Sequence, residues 1–369
     1  MMGMKRIIGI GLAMLCCGLS VSAIDSAQTG SWSDTATWVG GVVPGPADNV
    51  VVKHTITSDG DEGSVNELTI NEASAVLNMN SGSLLGSTRN TKILNGSMNI
   101  ASNATFTHDA AANRYISLAL ADSADGYLNI NGGSVTTMST LIIGSGLSTG
   151  GATGSLTVNS GSLAVTGPRI QFGGADGASM SLNLNGGTVS ASTVSFVNDG
   201  LGTKRLNVNG GALYLNNATE TNTLVFTDTS ARLMFESGLV IFEGVDTAGD
   251  FNGFTNTFYG WVDAQNIDSA TYTDQQLKDF LIYDEVNSNA VLTVSSAPDA
   301  ATIAVTFAAN SLLITSTNLT PAASHTLQTT ADLVDGTWSN LTTSTGSSSN
   351  TWIITPLVDP ERFYRIISE

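Results

Sequence analysis

Two cysteines occur in 369 residues, Cys16 and Cys17, and both lie near the N-terminus. From Ile24 onward the chain has no thiol, which excludes disulfide staples, zinc–thiolate sites and a cysteine nucleophile. Histidine is nearly as scarce, with His54, His108 and His325 far apart. Charge is thin and one-sided: only 12% of residues are charged, with 13 Lys and Arg against 31 Asp and Glu, for a net charge of −18. Nucleic acid and anionic membrane surfaces call for a basic patch that this balance does not supply. Long apolar runs are missing too. The only sustained one, Ile7 to Leu19, is too short to cross about 30 Å of hydrocarbon, so no integral membrane segment is expected.

That run follows Met1-Met-Gly-Met-Lys5-Arg6 and precedes Val21-Ser22-Ala23, the small-residue pattern of a cleavage site. Residues 1–23 therefore read as a Sec signal peptide, with a soluble, secreted mature chain from Ile24. Leu15 before Cys16 is wrong for a lipoprotein site, which leaves the two cysteines as apolar signal residues.

What the chain has in abundance is Gly, Ser, Thr and Asn, arranged in a phrase that returns four times: Tyr127-Leu-Asn-Ile-Asn-Gly-Gly-Ser-Val135, Ser155-Leu-Thr-Val-Asn-Ser-Gly-Ser-Leu163, Ser181-Leu-Asn-Leu-Asn-Gly-Gly-Thr-Val189 and Arg205-Leu-Asn-Val-Asn-Gly-Gly-Ala-Leu213. Its second asparagines, Asn131, Asn159, Asn185 and Asn209, are 28, 26 and 24 residues apart, the spacing of one coil per repeat in a solenoid. Leu128 and Ile130 point to one side and Asn129 to the other, while Asn131-Gly132-Gly133 tolerates a sharp bend. Coil upon coil, the four asparagines would form a ladder whose amides hydrogen-bond between neighbours. Divergent copies at Leu77 to Leu84 and Leu233 to Val240 extend the stack from about residue 45 to about 260, with Ile93-Leu-Asn-Gly-Ser-Met98 out of step. One coil buries too little to offset the ordering of its backbone, so stacking and end caps are obligatory.

The ends carry their own signals. Trp32 and Trp38, with Gly40-Gly41 and Pro44, precede the strand at Val50 to Val52. They read as an N-terminal cap over about 28–52, or as a sugar-stacking platform. Thr273 with Gln276 makes a capping box before Leu277, Phe280 and Leu281, the best helix signal in the chain, in a helical cap over about 260–297. The repeat dissolves across Gly244 to Tyr259. The whole reads as an all-β chain: a right-handed parallel β-helix (β-solenoid) over 24–297, then a small C-terminal β-sandwich of six strands over 298–369.

Trp32-x(5)-Trp38-x-Gly40-Gly41, followed by Pro44 and Asp48-Asn-Val50, resembles the opening of many secreted bacterial solenoid proteins. The repeat phrase is similar to the β-strand repeats of autotransporter passenger domains. His325-Thr-Leu-Gln-Thr-Thr-Ala-Asp332-Leu-Val-Asp-Gly336-Thr-Trp338, closing with Phe363-Tyr364-Arg365-Ile366, resembles a small β module common at the C-terminus of secreted bacterial proteins. The resemblance implies a structural, adhesive or surface-displayed protein.

Candidate chemistry is sparse. His108 beside Asp109 and Arg114 reads as an exposed turn rather than a catalytic cluster. A β-helix polysaccharide lyase needs basic residues and carboxylates on one face, yet Arg89, Lys92, Arg114, Arg169, Lys204, Arg205 and Arg232 show no common register. Asp176, Asp199 and Asp228, the nearest approach to paired hydrolase acids, read as solvated loop residues. Asp59, Asp61 and Glu62 crowd one turn and form a candidate calcium site, whereas Asp250-Phe-Asn252-Gly253 begins like a calcium loop and departs from it at Phe254. The aromatic run Phe251, Phe254, Phe258, Tyr259 and Trp261 either fills the solenoid's end or stacks on sugar, and Trp338 is a second sugar candidate. The leading expectation is thus a non-catalytic structural or adhesive protein, without a cofactor unless calcium binds. A carbohydrate-binding protein and a polysaccharide lyase or hydrolase are the alternatives, and an extracellular polysaccharide or cell-surface component is the expected partner.

Overall fold

A computed structural model describes residues 23–110, 114–145, 150–198, 200, 202–216, 223–245, 247–284 and 287–293, together with the C-terminal strands named below. Residues 1–22 of the expected signal segment, Asp199 and Trp338 lie outside the described residues. The chain divides into two units, Met1–Thr293 and Val294–Glu369.

The first unit is a parallel β-solenoid of about 8 turns. Each coil has three strands, and strands of successive coils pair in register to build three faces. On the first face, residues 67–70, 91–93, Tyr115–Leu118, Thr140–Ile143, Ile170–Phe172, Val194–Phe196 and Leu224–Phe226 follow one another. The second face carries the Leu-Asn-Ile half of the repeat phrase: Leu77, Met98, Leu128, Leu156, Leu182, Leu206 and Leu233 stand in one buried column. The third face begins after the Asn-Gly-Gly bend, where Val135, Leu163, Val189, Leu213 and Val240 stack in the same way. On either side of the bend, alternation of buried and half-exposed positions in Asp125–Thr137 and Thr153–Val165 follows from the pleat, which turns every second side chain inward.

The bend glycines do specific work. Gly187 has φ +69° and Gly211 φ +68°, and a Cβ on either would lie 2.3 and 2.4 Å from the carbonyl oxygen of Gly161 and Gly187 in the preceding coil. Only glycine fits a left-handed bend pressed against the next backbone. The phrase at Ile93 to Met98 is out of step for a structural reason. Gly96 pairs with Gly126 just before the second face, so its Asn-Gly pair turns a different corner from Asn131-Gly132.

At the N-terminal end, Ile24–Asp25 and Gly30–Ser31 add a partial coil on Asn49–Val52 and Thr55–Ser58. Trp32 and Trp38 are 0% and 2% exposed, their rings meet edge to face at 4.9 Å, and Trp38 Nε1 donates to the Trp32 carbonyl at 2.7 Å. They cap the core and offer no open sugar platform.

The other end differs from expectation. The longest helix, α1, spans Ala248–Asp263, where the repeat was expected simply to dissolve, and α2, with the capping box, is only Asp274–Asp279. Gly249, Asn252, Gly253 and Gly260 are poor helix formers, so propensity hides α1. Tertiary packing overrides it: Phe254, Phe258 and Trp261 gather on Phe242 of the last coil at 4.7, 6.4 and 6.5 Å. Ile267–Asp268 continues the second face in parallel, while Asn289–Thr293 runs antiparallel on the third, followed by Leu281–Asp284. No helix among the described residues is long and apolar enough to cross a membrane.

The second unit holds two three-stranded antiparallel sheets, Thr302–Ala308, Ser311–Thr317 and Ser349–Ile354 in one and Ser339–Thr345, Ser324–Thr330 and Phe363–Ser368 in the other.

Gly187→Ala forces an alanine into positive φ against a carbonyl and is expected to cost on the order of 2–4 kcal/mol. Thermal melts of the variant check this, and an unchanged midpoint would contradict the close approach.

Candidate functional site

The asparagines of the repeat phrase form a single column at the second corner of the coil. Asn159 Nδ2 donates to Asn131 Oδ1 at 2.8 Å, Asn185 to Asn159 at 2.9 Å and Asn209 to Asn185 at 3.1 Å. A second column, unforeseen in the sequence, runs mid-strand on the second face. Asn99 donates to Asn78 at 2.8 Å, Asn129 to Asn99 at 2.9 Å and Asn207 to Asn183 at 2.7 Å. Thr157 interrupts it, and Asn183 reaches Ser155 Oγ at 3.2 Å instead. The signal was present, because the middle position of the phrase is asparagine in three of its four copies, Asn129, Asn183 and Asn207. In the last coil Glu236 and Ser237 replace the corner asparagine, and Glu236 turns to the cap, accepting from Ser269 Oγ at 3.2 Å and from the Ala270 amide.

Several candidate residues occupy places other than those expected. His108 is no exposed turn: it is 0% exposed on the strand Thr105–His108. Its Nδ1 lies 2.9 Å from Thr137 Oγ1, and its Nε2 bonds to the Arg89 carbonyl. Burial pushes its imidazole below the usual 6.5, outweighing the hydrogen bond to Arg89 and the charge of Asp109. A group so enclosed maintains a corner of the coil.

Asp228 is not a solvated loop residue either. It is 4% exposed and ion-paired with Lys204, which is 0% exposed. The inward column before the second face reads Gly96, Gly126, Gly154, Met180, Lys204 and Ala231. Lys204 thus stands where its neighbour has Met180, and the corner that includes Asp228 folds over it. Burial pushes the Asp228 carboxyl up, but the Lys204 ammonium and the Ser230 amide and hydroxyl, at 2.7 and 2.8 Å, hold it below the ordinary range. Asp176 is exposed.

Basic residues do share a register after all. Arg205 pairs directly with Arg232 on the second face, where Arg232 donates to the Thr229 and Ala231 carbonyls at 2.6 and 2.9 Å. Burial and the Arg232 charge lower the Arg205 guanidinium, although Asp268 opposes them.

The candidate calcium turn is occupied locally. Glu62 Oε1 accepts from the Asp59 and Gly60 amides at 3.3 Å, and Asp61 Oδ1 from the Gly63 amide at 3.0 Å. Among the described residues no three His, Cys, Asp or Glu side chains are placed to hold a metal ion. Asp250 lies in the first turn of α1, where Thr247 caps its amide at 3.1 Å. Phe258 is wholly buried. Trp261 is half-buried, 6.0 Å from both Phe226 and Phe254, and the Lys278 ammonium lies 5.4 Å from the centre of the Tyr259 ring.

Two outcomes follow. Asp228→Ala removes the carboxylate paired with the buried Lys204 ammonium and is expected to cost about 3–5 kcal/mol, whereas Lys204→Met with Asp228→Ala restores most of that loss. Chemical denaturation of the three proteins decides, and equal losses in the single and double variants would refute the pairing.

The second concerns acid. Because folding lowers the His108 pKa, its contribution is intact above 6.5 and falls as pH drops below that value. Asp228 and Glu236, lowered from 3.8 and 4.5, lose their contributions only in stronger acid, as pH passes through their folded values. His108→Gln should therefore flatten the decline in melting temperature between pH 6.5 and 4.5. Parallel curves for variant and parent over that window would remove His108 as its cause. Comparison with protein-family models, curated proteins and solved structures finds no match to this chain.

Proposed function

We propose that this chain is a secreted, surface-displayed structural or adhesive protein with no catalytic role. The observation that carries the reading is the pair of asparagine columns, whose amides are engaged with one another from coil to coil. Side chains used in this way hold the stack together and leave the second face without acid–base chemistry.

A rigid stack of this kind presents long, regular faces, which suits a protein whose work is contact. The apolar run Ile7 to Leu19 with the cleavage pattern ending at Ala23, the likeness of the repeat to autotransporter passengers and the tryptophan opening support export. On this reading the stack is a right-handed β-helix, and residues 298–369 form a small β-sandwich that accompanies it. Carbohydrate is the partner class that fits best, because Asn, Ser, Thr and Arg donors suit hydroxylated and weakly charged polymers.

Fractionation of producing cells tests the reading. The chain is expected outside the cytoplasm with Ile24 at its N-terminus, and cells lacking it should adhere less well to a surface or to one another. Retention of the full chain in the cytoplasm, or release of reducing ends from any polysaccharide incubated with it, would overturn the proposal.

A further inference from the structure

Five lysines occur in the sequence, and Lys53, Lys92, Lys204 and Lys278 are each ion-paired, with Asp25, Glu67, Asp228 and Asp263. The arginines divide differently. Arg205 and Arg232 lie on the second face, but Arg89, Arg114 and Arg169 all lie on one edge of the solenoid, where the third face of one coil turns into the first face of the next. Among the described residues none of these three has a carboxylate within ion-pair distance. In a chain with 31 acidic residues, an edge whose cations are left uncompensated is the exception.

That edge is also concave. A groove of about 790 Å³ crosses successive turns of the stack, and Arg114 and Arg169 line it with Met138, Thr140, Pro168 and Ser192. Met138 is 58% exposed there. The floor is fastened between coils: Ser139 Oγ donates to the Ala110 carbonyl at 3.1 Å, Thr166 Oγ1 to the Thr137 carbonyl at 3.2 Å and Ser192 Oγ to the Pro168 carbonyl at 2.7 Å. His108 with Thr137 lies buried beneath. The groove is therefore a preformed surface.

We infer that this edge groove binds an anionic polysaccharide, with Arg114 and Arg169 gripping alternate carboxylate or sulfate groups. The two arginines lead into first-face strands two coils apart, which at about 4.8 Å per coil places them roughly 10 Å apart along the axis. That is close to the length of two sugar units in an extended chain, so every second acidic group of a uniformly charged polymer meets a guanidinium. Met138 and Pro168 supply apolar surface for sugar faces, and the hydroxyls meet ring substituents. Charge density selects the polymer class. A net charge of −18 repels duplex DNA and anionic bilayers, with their closely packed phosphates, whereas one charge per sugar is met locally and distant acids are screened within about 8 Å at physiological salt. Asp109, the nearest acid along the chain, lines a neighbouring groove.

This inference rests on the adhesive reading and gives it a ligand class. The mature chain is titrated with polygalacturonate, a dextran sulfate substituted at about one sulfate per glucose, neutral dextran, duplex DNA and phosphatidylglycerol vesicles. Saturable binding of polygalacturonate, dextran sulfate or both is expected, and which of the two binds assigns carboxylate or sulfate. Arg114→Ala and Arg169→Ala should each weaken it roughly tenfold, about 1.4 kcal/mol. Arg114→Lys keeps the charge but loses the planar fork and should fall between. Arg232→Ala, on another face, should leave binding unchanged, and circular dichroism should show every variant folded. Binding of neither polymer, equal binding by the groove variants and the parent, or equally tight binding of DNA or vesicles would overturn the inference. Loss of adherence on deletion of the protein would still stand in that event, so the two readings fail separately.

Discussion

Among the described residues of this solenoid, the strands of each coil pair with those of the coils beside it. In-register pairing between successive coils is the constraint from which the rest follows. Because a coil's carbonyls and amides point along the axis, the coil is satisfied only when another lies above and below it. Pairing in register then forces like positions into columns, so leucine lies over leucine and asparagine over asparagine. The columns turn weak local preferences into a cooperative structure, and they place side-chain amides close enough to bond at 2.7 to 3.1 Å.

The same constraint explains which parts of the fold and of the candidate sites can be read from the sequence. The phrase around Asn131, Asn159, Asn185 and Asn209 is legible because strand length, bend and pleat recur together. The Thr273–Gln276 capping box is legible because it is local, and it forms as such. Other features depend on phase. The corner between the first and second faces varies in length, so the inward or outward sense of a residue restarts there in each coil. Lys204 looks like half of a surface pair with Arg205 until its column shows Met180 below it. His108 looks like a turn residue until Thr137 is found beside it in the next coil. Helix α1 is hidden for another reason: its glycines and asparagines mask an apolar stripe whose only purpose is the last coil.

Polar groups inside the stack fall into two kinds. The asparagine columns, exposed at the corner and half-exposed mid-strand, bond to one another and contribute wherever the repeat holds. The buried pair Lys204–Asp228 and the His108–Thr137–Ser139 corner occur once each and tie a particular turn to its neighbour. Such single contacts fix which coil follows which, because a slip of one coil would leave a buried charge or imidazole without its partner.

The strand Asn289–Thr293 gives the stack a direction. A parallel ladder carries no information about its own length, since each edge is a template for one more identical strand. Asn289–Thr293 breaks the parallel ladder on the third face, and Leu281–Asp284 outside it reverses again, so the outermost strand there is only four residues long and is held by antiparallel pairing. So short an edge strand offers an arriving molecule few donors and acceptors to pair with. Repetition builds the body of this protein, and a short antiparallel pair of strands marks where the parallel ladder ends.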